Sequence, residues 1–116
     1  MKKIKEKYPL LFEDTEKKER KIKYDKALKD VKVIADILKE EFGATEVRYF
    51  GSLSDEARFS SLSDIDIAEK GIPPKRFYAA YGVITRGISE FKIDLVDMED
   101  CKERIKEEIM KNGVII

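Results

Sequence analysis

A chain of 116 residues can build one compact core but not two, so a single domain spanning 1–116 is expected. Charged residues make up 41% of it, against roughly 25% in ordinary soluble proteins, yet 24 Lys and Arg balance 24 Asp and Glu, which argues against a nonspecific nucleic-acid binder. With no His and one Cys, the chain can form no internal disulfide, no zinc site and no Ser-His-Asp or Cys-His nucleophile pair, so any chemistry must run on carboxylates, hydroxyls, Lys, Arg or metal ions.

Residues 1–23 are dominated by Lys and Glu around Pro9-Leu10-Leu11-Phe12, the pattern of a charged, solvated helical extension in which Asp14 or Thr15 is placed to cap a helix. From Tyr24 the apolar residues Tyr24, Ala27, Leu28, Val31, Ile34, Ala35, Leu38 and Phe42 recur at steps of three and four. That spacing predicts one buried helix face, ended by Gly43. Val33 and Ile37 lie off the stripe and either widen the buried face or meet a partner. Glu46–Phe50 is expected as a short strand running into Gly51-Ser52. The segment from Leu53 to Ser63 is polar and reads as a loop, or a loop with one helical turn. Asp64–Ala68 alternates strictly, as a second strand does.

Gly71-Ile72-Pro73-Pro74 is a turn that also primes a helix start. Phe77, Tyr78, Tyr81, Ile84 and Ile88 then keep helical spacing, and Phe91–Val96 is a third strand. Cys101, Ile105 and Ile109 stripe a last helix, with Cys101 as a core residue and Asn112-Gly113 as its cap. Val114-Ile115-Ile116 is too apolar for an inert tail. The predicted class is α+β: a small mixed β-sheet with helices packed mainly on one face.

Side chains two apart on a strand share a face, so Asp64 and Asp66 point the same way while Ile65 and Ile67 enter the core. Two carboxylates so placed repel each other unless a divalent cation sits between them, and hard oxygen ligands suit Mg²⁺. The plainer alternative is that they decorate an exposed strand, but Asp is a poor strand former. Upstream, Gly51 lets the backbone approach a ligand closely, and free N–H groups with the Ser52 hydroxyl can hold phosphate oxygens. Asp94, flanked by the inward Ile93 and Leu95, falls on the opposite sheet face. It joins the first two carboxylates if its strand pairs with theirs. Asp97, at the strand end, is the competing candidate and better placed to cap the last helix.

Gly51-Ser52, an eleven-residue spacer, Ser63-Asp64-Ile65-Asp66-Ile67 and a later strand aspartate together resemble the signature of the DNA polymerase β-like nucleotidyltransferase superfamily, with its palm-like fold. The closest resemblance is to the minimal nucleotidyltransferases, small prokaryotic proteins often paired as antitoxins with HEPN-domain toxins. It covers about residues 30–98. The chain departs from the family in its spacer, which is commonly about ten residues with an Arg-Gly step, where Asp55-Glu56 stands here.

The resemblance implies Mg²⁺-dependent transfer of a nucleoside monophosphate, AMP from ATP in the HEPN-paired members, to a hydroxyl such as a tyrosine of the toxin. It implies two Mg²⁺ ions held by the catalytic carboxylates Asp64, Asp66 and Asp94, with nucleotide bound by Gly51, Ser52 and Ser63. Arg58, Lys75 and Arg86 are the candidates for a cation beside the departing pyrophosphate. The apolar tail and the extra apolar positions of the first helix fit a HEPN partner or a homo-oligomer equally. A non-catalytic, antitoxin-like binding module on the same fold is the alternative.

The start of the chain has no apolar core of signal-peptide length and no run approaches about 20 apolar residues, so a cytoplasmic protein that does not enter membranes is expected. Abundant Lys and Glu, with no Gln and one Asn, is the compositional pattern of hyperthermophiles. A heat-loving source follows as an expectation, and thermal unfolding midway well below about 70 °C would count against it.

Overall fold

The computed structural model describes residues 9–60 and 62–116, with side chains from Glu16 onward. The elements run α1 (Pro9–Phe42), β1 (Glu46–Phe50), a 3₁₀ turn (Gly51–Ser54), β2 (Ile65–Lys70), α2 (Pro74–Ile84), β3 (Ile93–Asp97), α3 (Glu103–Asn112) and β4 (Val114–Ile115). The first part of the charged extension, 1–8, lies outside the described residues.

Helix α1 passes straight through Asp14 and Thr15, so neither caps it. Residues 10–23 hold no Gly or Pro, their Lys and Glu are good helix formers, and Pro9 is tolerated in a first turn. The stripe from Ala27 to Phe42 is buried as its spacing requires, with Tyr24, Leu28 and Ile37 packed against its edges and Val33 left half exposed to solvent. Gly43, at φ +84°, ends the helix, and the Ala44 N–H returns to the Leu38 carbonyl at 3.0 Å.

The four strands lie in the order β3-β2-β1-β4, with β2–β3 parallel and β1 antiparallel to both β2 and β4. Alternation divides the sheet cleanly. Val47, Ile65, Ile67, Ile93 and Leu95 face α1 and α2, in the main core. Phe50, Ala68, Met98 and Ile109 form a smaller cluster under α3, on the opposite face. Each fully buried Ile or Leu contributes about 1.5–3 kcal/mol. The apolar tail becomes the edge strand β4, held by the Ile116 N–H on the Val47 carbonyl at 2.9 Å.

Several local expectations change. Strand β3 starts at Ile93, not Phe91, and α2 ends at Ile84, leaving Ile88 beyond it. Tyr78, which shares helical spacing with Phe77 and Tyr81, is 83% exposed. Cys101 precedes α3 and is half-buried, its thiol directed to the Met98 carbonyl. Asp97 does not cap α3. Its Oδ1 accepts from the Glu99 N–H at 2.9 Å, which closes the turn after β3. Among the described residues no helix is long and apolar enough to cross a membrane.

Two buried acids hold connections. Asp30 on α1, 4% exposed, takes Lys26 Nζ at 2.5 Å and the Ser89 hydroxyl at 2.6 Å, and Ser89 in turn accepts from the Phe91 N–H. The segment that leads into β3 is thereby tied to the long helix. Glu69 on β2 is fully buried, with Oε2 accepting from the Ile72 N–H at 3.1 Å and Oε1 without a partner. Burial foremost, then the nearby Asp97 and Glu99, raises its carboxyl to about 7, against the opposing hydrogen bond from Ile72.

Because the folded state holds that proton and the unfolded chain releases it near 4.5, this group's contribution to stability is complete below about 4.5 and is lost as pH rises to about 7. Denaturant titrations across that window should show the decline in the wild type and not in Glu69→Gln. The variant should be the more stable at pH 7 by up to about 3 kcal/mol.

Candidate nucleotide and metal site

The site is assembled by strand register. In the parallel pair Asp66 lies opposite Asp94, with Ile65 opposite Ile93 and Ile67 opposite Leu95. In the antiparallel pair Phe50 lies opposite Asp66. Phe50, Asp66 and Asp94 therefore form one row across three strands, on the α3 face. Asp64 stands just before β2, two residues from Asp66, and is exposed, as is Asp94, while Asp66 is half-buried. The carboxyl of Asp66 is raised to about 6, by burial first and then by the negative charges of Asp94 and Asp64.

Part of that burial comes from Gly51. This residue, at φ +68°, carries the chain out of β1, and a methyl built on it would run into Asp66 Oδ2. Glycine is required here for both the backbone angle and the space. The following 3₁₀ turn is closed by the Ser54 hydroxyl, which donates to the Gly51 carbonyl at 2.6 Å. The Ser52 hydroxyl has no hydrogen-bond partner among the described residues and is partly exposed. Ser63 is differently engaged: its Oγ accepts from the Ser60 N–H at 3.0 Å, within the loop.

The loop is less polar in structure than in composition. Leu53 and Phe59 are fully buried, Tyr24 donates its hydroxyl to the Leu53 carbonyl at 3.1 Å, and Phe59 meets Tyr24 and Phe91 edge-on at 5.7 and 5.4 Å. At the position where the family often has Arg-Gly, Asp55 forms the turn itself, its Oδ1 accepting from the Ala57 N–H at 3.1 Å. The two apolar residues at 53 and 59 were the signal that this loop is anchored.

The candidate cations separate by sheet face. Arg58 lines a groove of about 470 Å³ between α1 and the loop, with Arg20, Lys23 and Ser60. Lys75 belongs to α2, whose buried Ala80 and Ile84 pack in the α1-side core, and Arg86 follows that helix. On the carboxylate face, a groove of about 460 Å³ between Phe50 and α3 is lined by Arg104 and Lys111. Neither residue belongs to a motif of the sequence. Their spacing of seven on one helix, with Glu107 and Glu108 between them, was the available signal.

Three carboxylates are the donor set a hard divalent cation takes. The mutual repulsion that raises Asp66 is what such a cation would relieve. As placed, no three acidic or Cys side chains among the described residues close on one point, so ligation would require the Asp rotamers to turn toward a shared ion. The electrostatic contact can be tested without metal: Asp94→Asn should lower the Asp66 titration midpoint from about 6, read by carboxyl-carbon NMR. An unchanged midpoint would show that Asp94 does not act on Asp66.

No family model and no curated protein sequence matches the chain. Solved structures do. A toxin–antitoxin crystal structure with AMP-PNP superimposes with a TM-score of 0.59 at 20% identity, over 71% of this chain and 68% of that one. A chain of the MntA–HepT toxin–antitoxin complex matches at 0.56 and 17%, over 74% and 68%. A mutant of that complex matches at 0.60 and 19%, over 73% and 69%. The likeness bears out the expected class, α+β with a small mixed sheet and helices mainly on one face; the sheet has a fourth strand, and α3 packs on its other face: this protein has the nucleotidyltransferase fold seen in the MntA–HepT toxin–antitoxin structures.

Proposed function

We propose that the protein is a Mg²⁺-dependent nucleotidyltransferase that transfers AMP from ATP to a hydroxyl, with the hydroxyl supplied by a HEPN-type protein partner. The observation that carries this reading is the register of β2 on β3, which sets Asp66 beside Asp94, with Asp66 directly opposite Phe50 on β1, the residue before Gly51-Ser52. That a similar fold was crystallised in a toxin–antitoxin complex with AMP-PNP supports it, as does pairing with HepT in others.

In this reading Gly51 and Ser52 receive phosphate oxygens, through backbone N–H groups that the close approach of Gly51 leaves open. Asp64 and Asp66 hold metal with their carboxylates, and Asp66 must shed its proton to do so. Asp94 orients the acceptor hydroxyl and takes its proton as the new oxygen–phosphorus bond forms and the bond to pyrophosphate breaks. Bound Mg²⁺ supplies neutralisation of the triphosphate charge in an in-line displacement. Ser63 completes the set through the loop it pins, since its hydroxyl is turned to Ser60. A purely binding, antitoxin-like role is the second reading, favoured by carboxylates that do not close on a common point among the described residues.

Calorimetric titration of ATP with Mg²⁺ into the purified chain decides between them. Binding that needs Mg²⁺ and disappears in Asp64→Ala/Asp66→Ala, with affinity rising as pH passes about 6, is expected. A folded wild type that binds no nucleotide would leave the binding-module role.

A further inference from the structure

We propose that Arg104 and Lys111 of α3 hold the outer two phosphates of the nucleoside triphosphate, in the groove between α3 and Phe50; this rests on the nucleotidyltransferase reading. Three observations converge there. First, Phe50, which lines the groove, is the strand neighbour of Asp66 and the residue before Gly51. Second, α3 packs against both β1 and the Gly51–Ser54 turn, so its wall stands beside the proposed phosphate grip. Third, Arg104, Glu107, Glu108 and Lys111 line the groove from one face of α3 at steps of three and four.

The two cations are also free to act. Neither has an ion pair or hydrogen bond among the described residues, although Glu107 and Glu108 lie between them, and Glu108 accepts from Asn112 Nδ2 at 3.0 Å. Among other cations, Arg48 is engaged with Glu46 at 2.7 Å, Lys23 with Glu90 at 3.3 Å and Lys26 with Asp30, and Lys102 and Lys106 do not line the groove. Lys92 lies at the β3 edge of the carboxylate row, away from Gly51-Ser52. Arg58 is in the α1 groove. The apolar floor of Phe50 and the half-buried Ile105 lowers the local dielectric, which strengthens attraction between the guanidinium, the ammonium and a phosphate chain.

Affinities for ATP with Mg²⁺ and, by competition, for AMP should be measured in Arg104→Ala, Lys111→Ala and the double variant, with Lys92→Ala and Arg58→Ala as competing cations and Lys29→Ala, exposed on α1, as control. Each single change should weaken ATP about tenfold and the pair about a hundredfold. AMP, which lacks the outer phosphates, should bind as before, and Lys111→Arg should retain ATP affinity. Thermal unfolding should be unaltered, because both side chains are exposed. ATP affinity unchanged in the double variant overturns the assignment, as does parallel weakening of ATP and AMP, or a loss confined to Lys92→Ala or Arg58→Ala. A wild type that binds no ATP fails at the earlier step and removes the nucleotidyltransferase reading along with this one.

Discussion

The parallel pairing of β2 with β3 is the constraint on which everything functional in this protein depends. Ile65 and Ile67 enter the α1-side core together with Ile93 and Leu95, and only registers an even number of residues apart keep them there. A slip of one residue would drive Asp94 into that core and expose its apolar neighbours, a cost of several kcal/mol for the buried charge alone. The hydrophobic demand of one face thus sets the carboxylate row on the other. Parallel strands need a long crossover. Residues 71–92 supply it, with α2 at its centre and the Asp30–Ser89 hydrogen bond anchoring its far end to α1.

Two carboxyls of β2 are raised toward neutrality, and their contrast is instructive. Glu69 sits at one end of the strand on the α1 side, sealed in protein and partnered only by a backbone N–H. Asp66 sits at the other end, half-buried, with like charges from Asp94 and Asp64 adding to its burial. A perturbed carboxyl marks a functional site only when its cause does. Both shifts are led by desolvation and reinforced by neighbouring carboxylates. What differs is access: Glu69 is sealed in protein, whereas Asp66 is half-buried beside the exposed Asp64 and Asp94.

The loop between Ser52 and Asp64 shows how a polar segment can still be held in place. Leu53 and Phe59 point downward into the core, where Tyr24 and Phe91 meet them, while the serines and Asp55 close turns above. Anchoring of this kind ties the Gly-Ser turn to the core, and in the proposed reading it would steady the phosphate grip. The tie from Tyr24 also couples α1 to that turn, so the long helix is part of the support beneath the site.

Much of this was legible in the chain. The stripe of α1, the alternation of β1, β2 and β3 and the Gly-Ser and Asp-x-Asp steps are local patterns, set by periods of 3.6 and 2 and by backbone angles that glycine adopts readily. Element ends were less legible, since α1 passes through Asp14 and Thr15, and a short edge strand forms from Val114 and Ile115 only because β1 offers it a partner. By itself the sequence determined which residues share a face and which can bear the chemistry. The tertiary structure alone decided that Asp94 lies opposite Asp66, that Ser63 turns to Ser60, and that Arg104 and Lys111 line the carboxylate face. Strand pairing and helix docking join residues tens of positions apart, and no local period encodes that distance.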